Sequence, residues 1–220
     1  AFLFRVFLRG LSGMRDSVLL LSASPHKNGT TSRISALIED GCRRAGFRTA
    51  VLDFSGMNFL GCTHCGTCSQ RLRHCPLEGK DDCSETFATI IGSRYLVIVS
   101  PIYNYGLPAQ FKALVDRTQY FYSSGIKPRI APRAAVLLLA GRTKGEKLFE
   151  GARLTLHCFF HTMGIEQVAL KTLRGLESPQ DLSDELRLEL RKWGAGLFTP
   201  GQTVVTAGPA RSTAGLVPRS

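Results

Sequence analysis

Short runs of unbroken apolar residues alternate along this chain with longer stretches in which apolar positions recur at helical spacing. Residues 18–21 are continuously apolar, as a strand buried on both faces must be. Ile34, Leu37, Ile38, Cys42 and Ala45 then fall on one helical face, and Gly46 is placed to end that helix. A second strand is predicted over residues 48–54 and a third over residues 96–99, followed by a helix that Pro108 opens in its first turn. Residues 134–139 read as a fourth strand and residues 166–172 as a fifth. Between these two, Leu148, Phe149, Ala152, Leu156, Phe159, Phe160 and Met163 form the apolar face of a helix that stops near Gly164. Leu182, Leu186, Leu190, Trp193 and Leu197 stripe the last helix.

Five strands separated by helices predict an α/β protein with a doubly wound parallel sheet. No internal repeat or low-complexity block breaks the alternation, so a single domain over residues 14–199 is expected. Met14 stands just before the first strand. Residues 1–13 and 200–220 read as extensions that are disordered or come from expression, since the final AGLVPRS is similar to a protease-site remnant. The one irregular stretch is a Cys-rich insert at residues 57–83, after the second strand.

Composition narrows the class. The 220 residues are 44% hydrophobic and 20% charged, which does not suit a disordered polyampholyte. No apolar run approaches the ~20 residues of a membrane span. The apolar start AFLFRVFLRGL carries Arg5 and Arg9 and lacks the small-residue cleavage pattern of a secretory signal. A cytoplasmic protein with no membrane partner is therefore expected. Lys and Arg number 28 against 17 acidic residues, a net charge of +11, and leaving out Arg5, Arg9, Arg211 and Arg219 of the extensions still leaves +7. That balance favours anionic ligands or acidic protein partners. Nucleic acid is not expected, because the basic residues form no run interleaved with aromatics and no zinc-finger or RNP-type motif is present. Five of the seven cysteines (Cys62, Cys65, Cys68, Cys75 and Cys83) fall inside 22 residues. Such clustering points to a reducing compartment and a metal or redox role, not to a disulfide scaffold. Cys42 and Cys158, alone on helical faces, are expected to be small buried residues.

In open α/β sheets ligands bind beyond the carboxyl ends of the strands. There, after the first strand, the chain reads SASPHKNGTTS, residues 22–32. Ser24, Asn28, Gly29, Thr30, Thr31 and Ser32 are small or hydroxyl-bearing residues at a helix N-terminus, suited to turn N–H and Oγ donors towards a phosphate, with His26 or Lys27 adding charge. The loop is neither a Walker A sequence nor G-x-G-x-x-G, which disfavours a dinucleotide fingerprint. The alternative is a polar turn with a Ser/Thr helix cap.

These segments together resemble a known family. SASPHKNGTTS is similar to the GSPRxxGNT phosphate loop of the flavodoxin-like NADPH-dependent FMN reductases. Residues 100–119, SPIYNYGLPAQFKALVDRTQ, resemble that family's second flavin loop and the helix after it. GCTHCGTC with KDDC downstream resembles the cysteine-bearing segment of its iron–sulfur flavoprotein branch. The resemblance implies a flavodoxin-like sheet of order 2-1-3-4-5 that binds FMN. Pro101, Ile102, Tyr103, Asn104 and Gly106 would then line the isoalloxazine ring, with Tyr103 or Tyr105 stacking, unless the tyrosines pack against a neighbouring subunit or the helix. Gly141 and Arg142, after the fourth strand, are expected as a third rim in which a cation or a helix N-terminus steadies the reduced ring, the alternative being a solvated surface arginine.

The insert has the spacing C-x2-C-x2-C-x6-C over Cys62, Cys65, Cys68 and Cys75, with Pro76 following. By the resemblance these four are ligands of a [4Fe–4S] cluster. A zinc site drawing on His64 or His74, and free thiols in a covering loop, remain open alternatives. Cys83 is left out of the ligand set. His157 and His161 stand at i, i+4 but lack the glutamate of H-E-x-x-H, so a surface or half-buried pair is expected.

The function implied is an FMN-dependent oxidoreductase working as a homodimer or homotetramer. NAD(P)H or an acidic redox protein such as ferredoxin would donate electrons, and a small-molecule acceptor would take them. Flavin chemistry asks the protein to position and tune, so no catalytic acid or base is assigned. The rival from another class is a non-catalytic flavodoxin-type electron carrier whose Cys-rich loop only covers the cofactor.

Overall fold

A computed structural model of the chain describes residues 17–70, 74–126, 128 and 132–198. The expected extensions, 1–13 and 200–220, and the expected start at Met14 lie outside the described residues, as do positions 71–73 of the Cys-rich insert.

The five strands are β1 (Ser17–Ser22), β2 (Arg48–Asp53), β3 (Tyr95–Pro101), β4 (Arg133–Leu139) and β5 (Glu166–Leu173). They form one all-parallel sheet in the order β2-β1-β3-β4-β5, the flavodoxin-like order expected. All side chains of β1 and β3 are buried, and all of β4 except Arg133. Residues of alternate parity serve opposite layers. Leu19, Leu21, Leu96, Ile98, Val136 and Leu138 face one core, while Val18, Leu20, Val97, Val99, Leu137 and Leu139 face the other. The edge strands RTAVLD and EQVALKTL mix polar residues in and are only partly buried, because each has one sheet neighbour.

Helices α1 (Thr30–Arg44) and α6 (Asp184–Gly196) cover the second core. Helices α2 (Cys83–Gly92), α3 (Ala109–Asp116), α4 (Gln119–Ser124) and α5 (Glu150–Met163) cover the first. Helix α2 is absent from the sequence expectation. Its buried face includes Thr86 and Thr89, whose hydroxyls donate to the backbone carbonyls of Asp82 and Glu85 (2.8 Å each), so the apolar period looks broken in the sequence. The helix expected after Pro108 begins one residue later, with Pro108 as N-cap, and breaks at Arg117 before α4. Gly164 ends α5 at φ 69°, a left-handed cap. On α5, Leu156, Phe159, Phe160 and Met163 turn inward, which leaves Cys158 exposed with His157 and His161. The expectation of a buried Cys158 is thus wrong, and that of a buried Cys42 holds.

Helices α1 and α6 cross almost backbone to backbone. A Cβ added at Gly41 would lie 2.1 Å from the carbonyl oxygen of Arg191, and one at Gly194 2.4 Å from that of Ile38. The same proximity lets the Cys42 thiol donate to the Gly194 carbonyl (3.4 Å), and burial pushes that thiol up to about 12. Asp40 Oδ2 accepts from both Arg44 (3.0 Å) and Arg191 (2.9 Å) beside the crossing. Gly41→Ala and Gly194→Ala are each expected to lower the unfolding free energy by about 2 kcal/mol in denaturant melts. Gly56→Ala, where an added Cβ meets nothing within 4 Å, should stay within about 0.5 kcal/mol of the parent.

Candidate functional site

β1 releases the chain at the carboxyl edge, where Ala23 N–H still donates to Val99 O (2.9 Å). Ser24 is buried and its Oγ accepts from the His26 N–H (3.1 Å), which tightens the turn. Asn28 takes φ 59°, and Gly29 is the N-cap of α1. No side chain caps this helix, so the Ser/Thr-cap alternative is not realised. Ser32 Oγ instead donates back to the Gly29 carbonyl (3.1 Å). The first-turn N–H groups therefore have no intrahelical partner, and they carry the positive end of the helix dipole. The hydroxyl of Ser22, at the end of β1, is also buried with no hydrogen-bond partner among the described residues.

β3 delivers the second loop. Ile102 N–H donates to Leu139 O (2.8 Å), which ties this loop to the end of β4. Tyr103 and Gly106 exchange backbone hydrogen bonds of 3.0 and 2.9 Å around Asn104 (φ 50°) and Tyr105 (φ 65°). A two-residue turn with both central residues left-handed is type I′. A tyrosine in that conformation costs about 1–2 kcal/mol. Two contacts hold it there. Arg142 Nη1 donates to the Tyr105 hydroxyl (3.0 Å), and the Tyr105 carbonyl lies 2.6 Å from where a Cβ on Gly151 would be, which only glycine allows.

These loops enclose a cleft of about 430 Å³ at the carboxyl edge of the sheet. Ser24, His26, Gly29, Thr30, Thr31, Pro101, Ile102, Tyr103 and Gly141 line it. Five residues expected at the site do not, nor do Lys27 and Tyr105, the alternatives to His26 and Tyr103. Asn28, Asn104 and Gly106 shape the turns, Ser32 bonds within its own helix, and Arg142 lies beyond the cleft, bound to Tyr105. The structure adds a wall absent from the sequence reading: Leu139, Ala140 and, after β5, Leu176, Glu177, Ser178 and Pro179. Asp181 braces that last segment. Its carboxylate accepts from the N–H groups of Ser178 (2.7 Å) and Glu177 (2.9 Å), and these bonds hold it below the usual carboxylate range. The Ser178-x-x-Asp181 capping box was the available signal. Outside the cleft, sharing Gly141 and Glu177 with it, is an open pocket of about 540 Å³ lined also by Arg142, Thr143, Lys144 and Gly145.

The Cys-rich insert is clamped at its base. Arg117 Nη1 donates to Asp81 Oδ2 (2.7 Å) and to Leu60 O (3.1 Å), with side chains only 4% and 0% exposed. Asp81 Oδ2 also accepts from Leu60 N–H (2.8 Å), and Asp82 from Asn58 N–H (2.7 Å). Beneath this clamp Cys83 is fully buried, and burial pushes its thiol up to about 12. Beyond it, Cys62, Cys65, Cys68 and Cys75 all line one pocket of about 150 Å³ together with Arg117 and Tyr120. His64 (φ 52°) and Gly66 (φ 75°) reverse the chain between the thiols, and the Thr67 hydroxyl donates to Cys65 Sγ (3.4 Å), lowering that thiol. The four donors are right in type and share one wall. Among the described residues, no three His, Cys, Asp or Glu side chains converge closely enough to hold a metal ion, so a cluster would have to draw the loop in.

An uncapped helix N-terminus facing a cleft at the carboxyl edge of a 2-1-3-4-5 sheet defines a mononucleotide-binding protein of the flavodoxin class. The family model for NADPH-dependent FMN reductases matches residues 17–172, and the chain belongs to that family. An iron–sulfur flavoprotein of Archaeoglobus fulgidus is 30% identical over 97 residues, 44% of this chain and 48% of that protein, so the match spans about half of that relative's length. An iron–sulfur flavoprotein of Methanosarcina thermophila is 24% identical over 145 residues, 66% of this chain and 73% of that protein. Among solved structures, the NAD(P)H:quinone oxidoreductase from Methanothermobacter marburgensis shares the fold with a TM-score of 0.64 at 23% identity, covering 84% of this chain and 98% of its own.

Asp81→Asn removes the charge that answers buried Arg117 and is expected to cost about 3 kcal/mol of stability. Limited proteolysis should then cut the insert faster than the rest of the chain. In metal-free native protein at pH 8, five thiols should react readily with a disulfide reagent. Cys42 and Cys83 should react only after unfolding, because thiols raised to about 12 hold almost no thiolate at that pH.

Proposed function

We propose that this chain is an FMN-dependent oxidoreductase that takes electrons from NAD(P)H and passes them to a small acceptor. The observation that carries the proposal is the meeting of the uncapped α1 N-terminus with the Tyr103–Gly106 turn in one cleft. FMN, when bound, supplies the ring that takes up and returns the hydride. The chain's residues do the rest. The N–H groups and hydroxyls of Thr30 and Thr31, with Ser24, would hold the phosphate, with His26 at its edge; all four line the cleft. Pro101 and Ile102 give an apolar surface for the ring, and Tyr103, 39% exposed, flanks it. Pro101, with no N–H to satisfy, allows the close approach of a flat ligand. No side chain in the cleft is assigned as acid or base.

The insert supports a finer reading, in which Cys62, Cys65, Cys68 and Cys75 hold a [4Fe–4S] cluster. Such a cluster, when bound, supplies one-electron transfer. An acidic ferredoxin-like protein would then suit the basic surface as donor. The observation favouring this is that all four thiols line a single pocket, at the end of the insert that the Arg117–Asp81 pair clamps. A cytoplasmic homodimer or homotetramer is the assembly we propose. No described helix is long and apolar enough to cross a membrane.

Anaerobic purification with a visible spectrum, and iron and sulfide assays on the same sample, tests both readings. Flavin bands with NAD(P)H oxidation are expected, and about four iron and four sulfide per chain if the cluster is present. Flavin without any nicotinamide oxidation would favour the electron carrier, and no binding of added FMN would sink the central reading. Thr31→Val removes a hydroxyl donor from the phosphate end and is expected to weaken FMN binding about tenfold, read by fluorescence titration.

A further inference from the structure

We infer that the loop of residues 141–145 is the site for the phosphates of the dinucleotide donor, outside the flavin cleft. This rests on the reading above that NAD(P)H is that donor. The loop is built, not loose. Ala140 N–H donates to Leu173 O (3.0 Å), Leu176 N–H to Ala140 O (3.1 Å) and Gly175 N–H to Arg142 O (3.3 Å), which binds the start of the segment to the end of β5 and the residues just after it. Arg174 Nη2 donates to Gly145 O (2.8 Å) while its guanidinium lies 5.1 Å from the centre of the Phe149 ring.

The charges of this loop are unanswered. Arg142, Lys144 and Arg174 are exposed, and none has a carboxylate within 4 Å among the described residues, although Glu177 lines the same pocket. Cations on the helices, such as Arg43, Arg44 and Lys112, are paired instead. Arg142 and Lys144 line the pocket against a single carboxylate, Glu177, so the lining keeps a net positive charge that an anion would answer. The flavin phosphate is already provided for by the α1 N-terminus, so a second anion is called for. A nicotinamide laid against the flavin leaves the cleft with its phosphates trailing, and the adjoining 540 Å³ pocket is the space that receives them. Arg142 is pre-aimed by its bond to Tyr105, so little ordering is needed when it meets a phosphate, and Lys144 adds a point charge.

Two phosphates of the donor fit this chemistry: the pyrophosphate, common to NADH and NADPH, and the 2′-phosphate, found only in NADPH. Steady-state kinetics of FMN-loaded wild type and Lys144→Ala with each nucleotide distinguish them. The loss is expected in KM, about tenfold for one charge-assisted phosphate contact. Confined to NADPH it assigns the 2′-phosphate, and equal for both nucleotides it assigns the pyrophosphate. Unchanged KM for both, or a loss that follows lowered flavin content, overturns the inference. Calorimetry with ADP and 2′,5′-ADP gives a readout independent of turnover. Binding that weakens with salt and is lost in Lys144→Glu supports the site even if wild type oxidises neither nucleotide, in which case only the donor reading fails. No binding of either compound by wild type overturns the site.

Discussion

β1, β3 and β4 lie mid-sheet with their side chains buried on both faces, and that double burial governs the rest of the molecule. A parallel strand covered above and below can meet a polar ligand only at its ends. The crossover helices α1, α2, α3 and α5 return the chain to the amino edge each time, so every loop free to make a site collects at the carboxyl edge. Burial on two faces also demands two helical layers. The α1–α6 layer comes close enough to need glycine at 41 and 194.

The same edge is divided by one buried ion pair. Arg117, at the break between α3 and α4, reaches Asp81 just before α2, 36 positions earlier. A charge pair so deeply buried gives little net stability, since desolvation consumes most of the attraction. Its effect is positional. Asp81 gathers the N–H of Leu60 and the guanidinium of Arg117, while Arg117 also holds the Leu60 carbonyl, so the insert starts and ends at one fixed point. The thiols are thereby carried on α4's side of the molecule, while the β1 and β4 loops are left to the cleft.

How much of this could be read from the residues alone differs by cause. The strands were legible because three of them are continuously apolar, and the sheet order came with the flavodoxin resemblance. Helix α2 was not legible, because Thr86 and Thr89 occupy buried positions once their hydroxyls bond back to the helix. The β1 side of the cleft lining follows from loop position, and Pro101, Ile102 and Tyr103 came with the resemblance. The wall at Leu176–Pro179 follows from neither, for it comes from beyond an edge strand whose sequence resembles a surface segment. Arg142 shows the limit of assigning a side chain from its loop: the loop is adjacent to the cleft, yet the guanidinium turns to the Tyr105 hydroxyl. The Arg117–Asp81 pair was invisible, since spacing along the chain says nothing of which two charges are buried together.

That turn to Tyr105 joins the second and third loops in a single unit. Asn104 and Tyr105 both adopt left-handed conformations, and a tyrosine does so against its own preference. The cost is met by three elements at once: the reciprocal Tyr103–Gly106 bonds, the Arg142 guanidinium and the absent side chain of Gly151. Because the restraint is shared, a shift of either loop alone costs contacts that hold the other. Displacing the β3 turn breaks the bond that orients Arg142, and displacing the β4 loop removes a support of the strained tyrosine. In the function proposed above, a flat ring held against a second, exchangeable ligand would draw on such mutual restraint, because the two ligands would have to meet at a fixed separation while only one of them comes and goes.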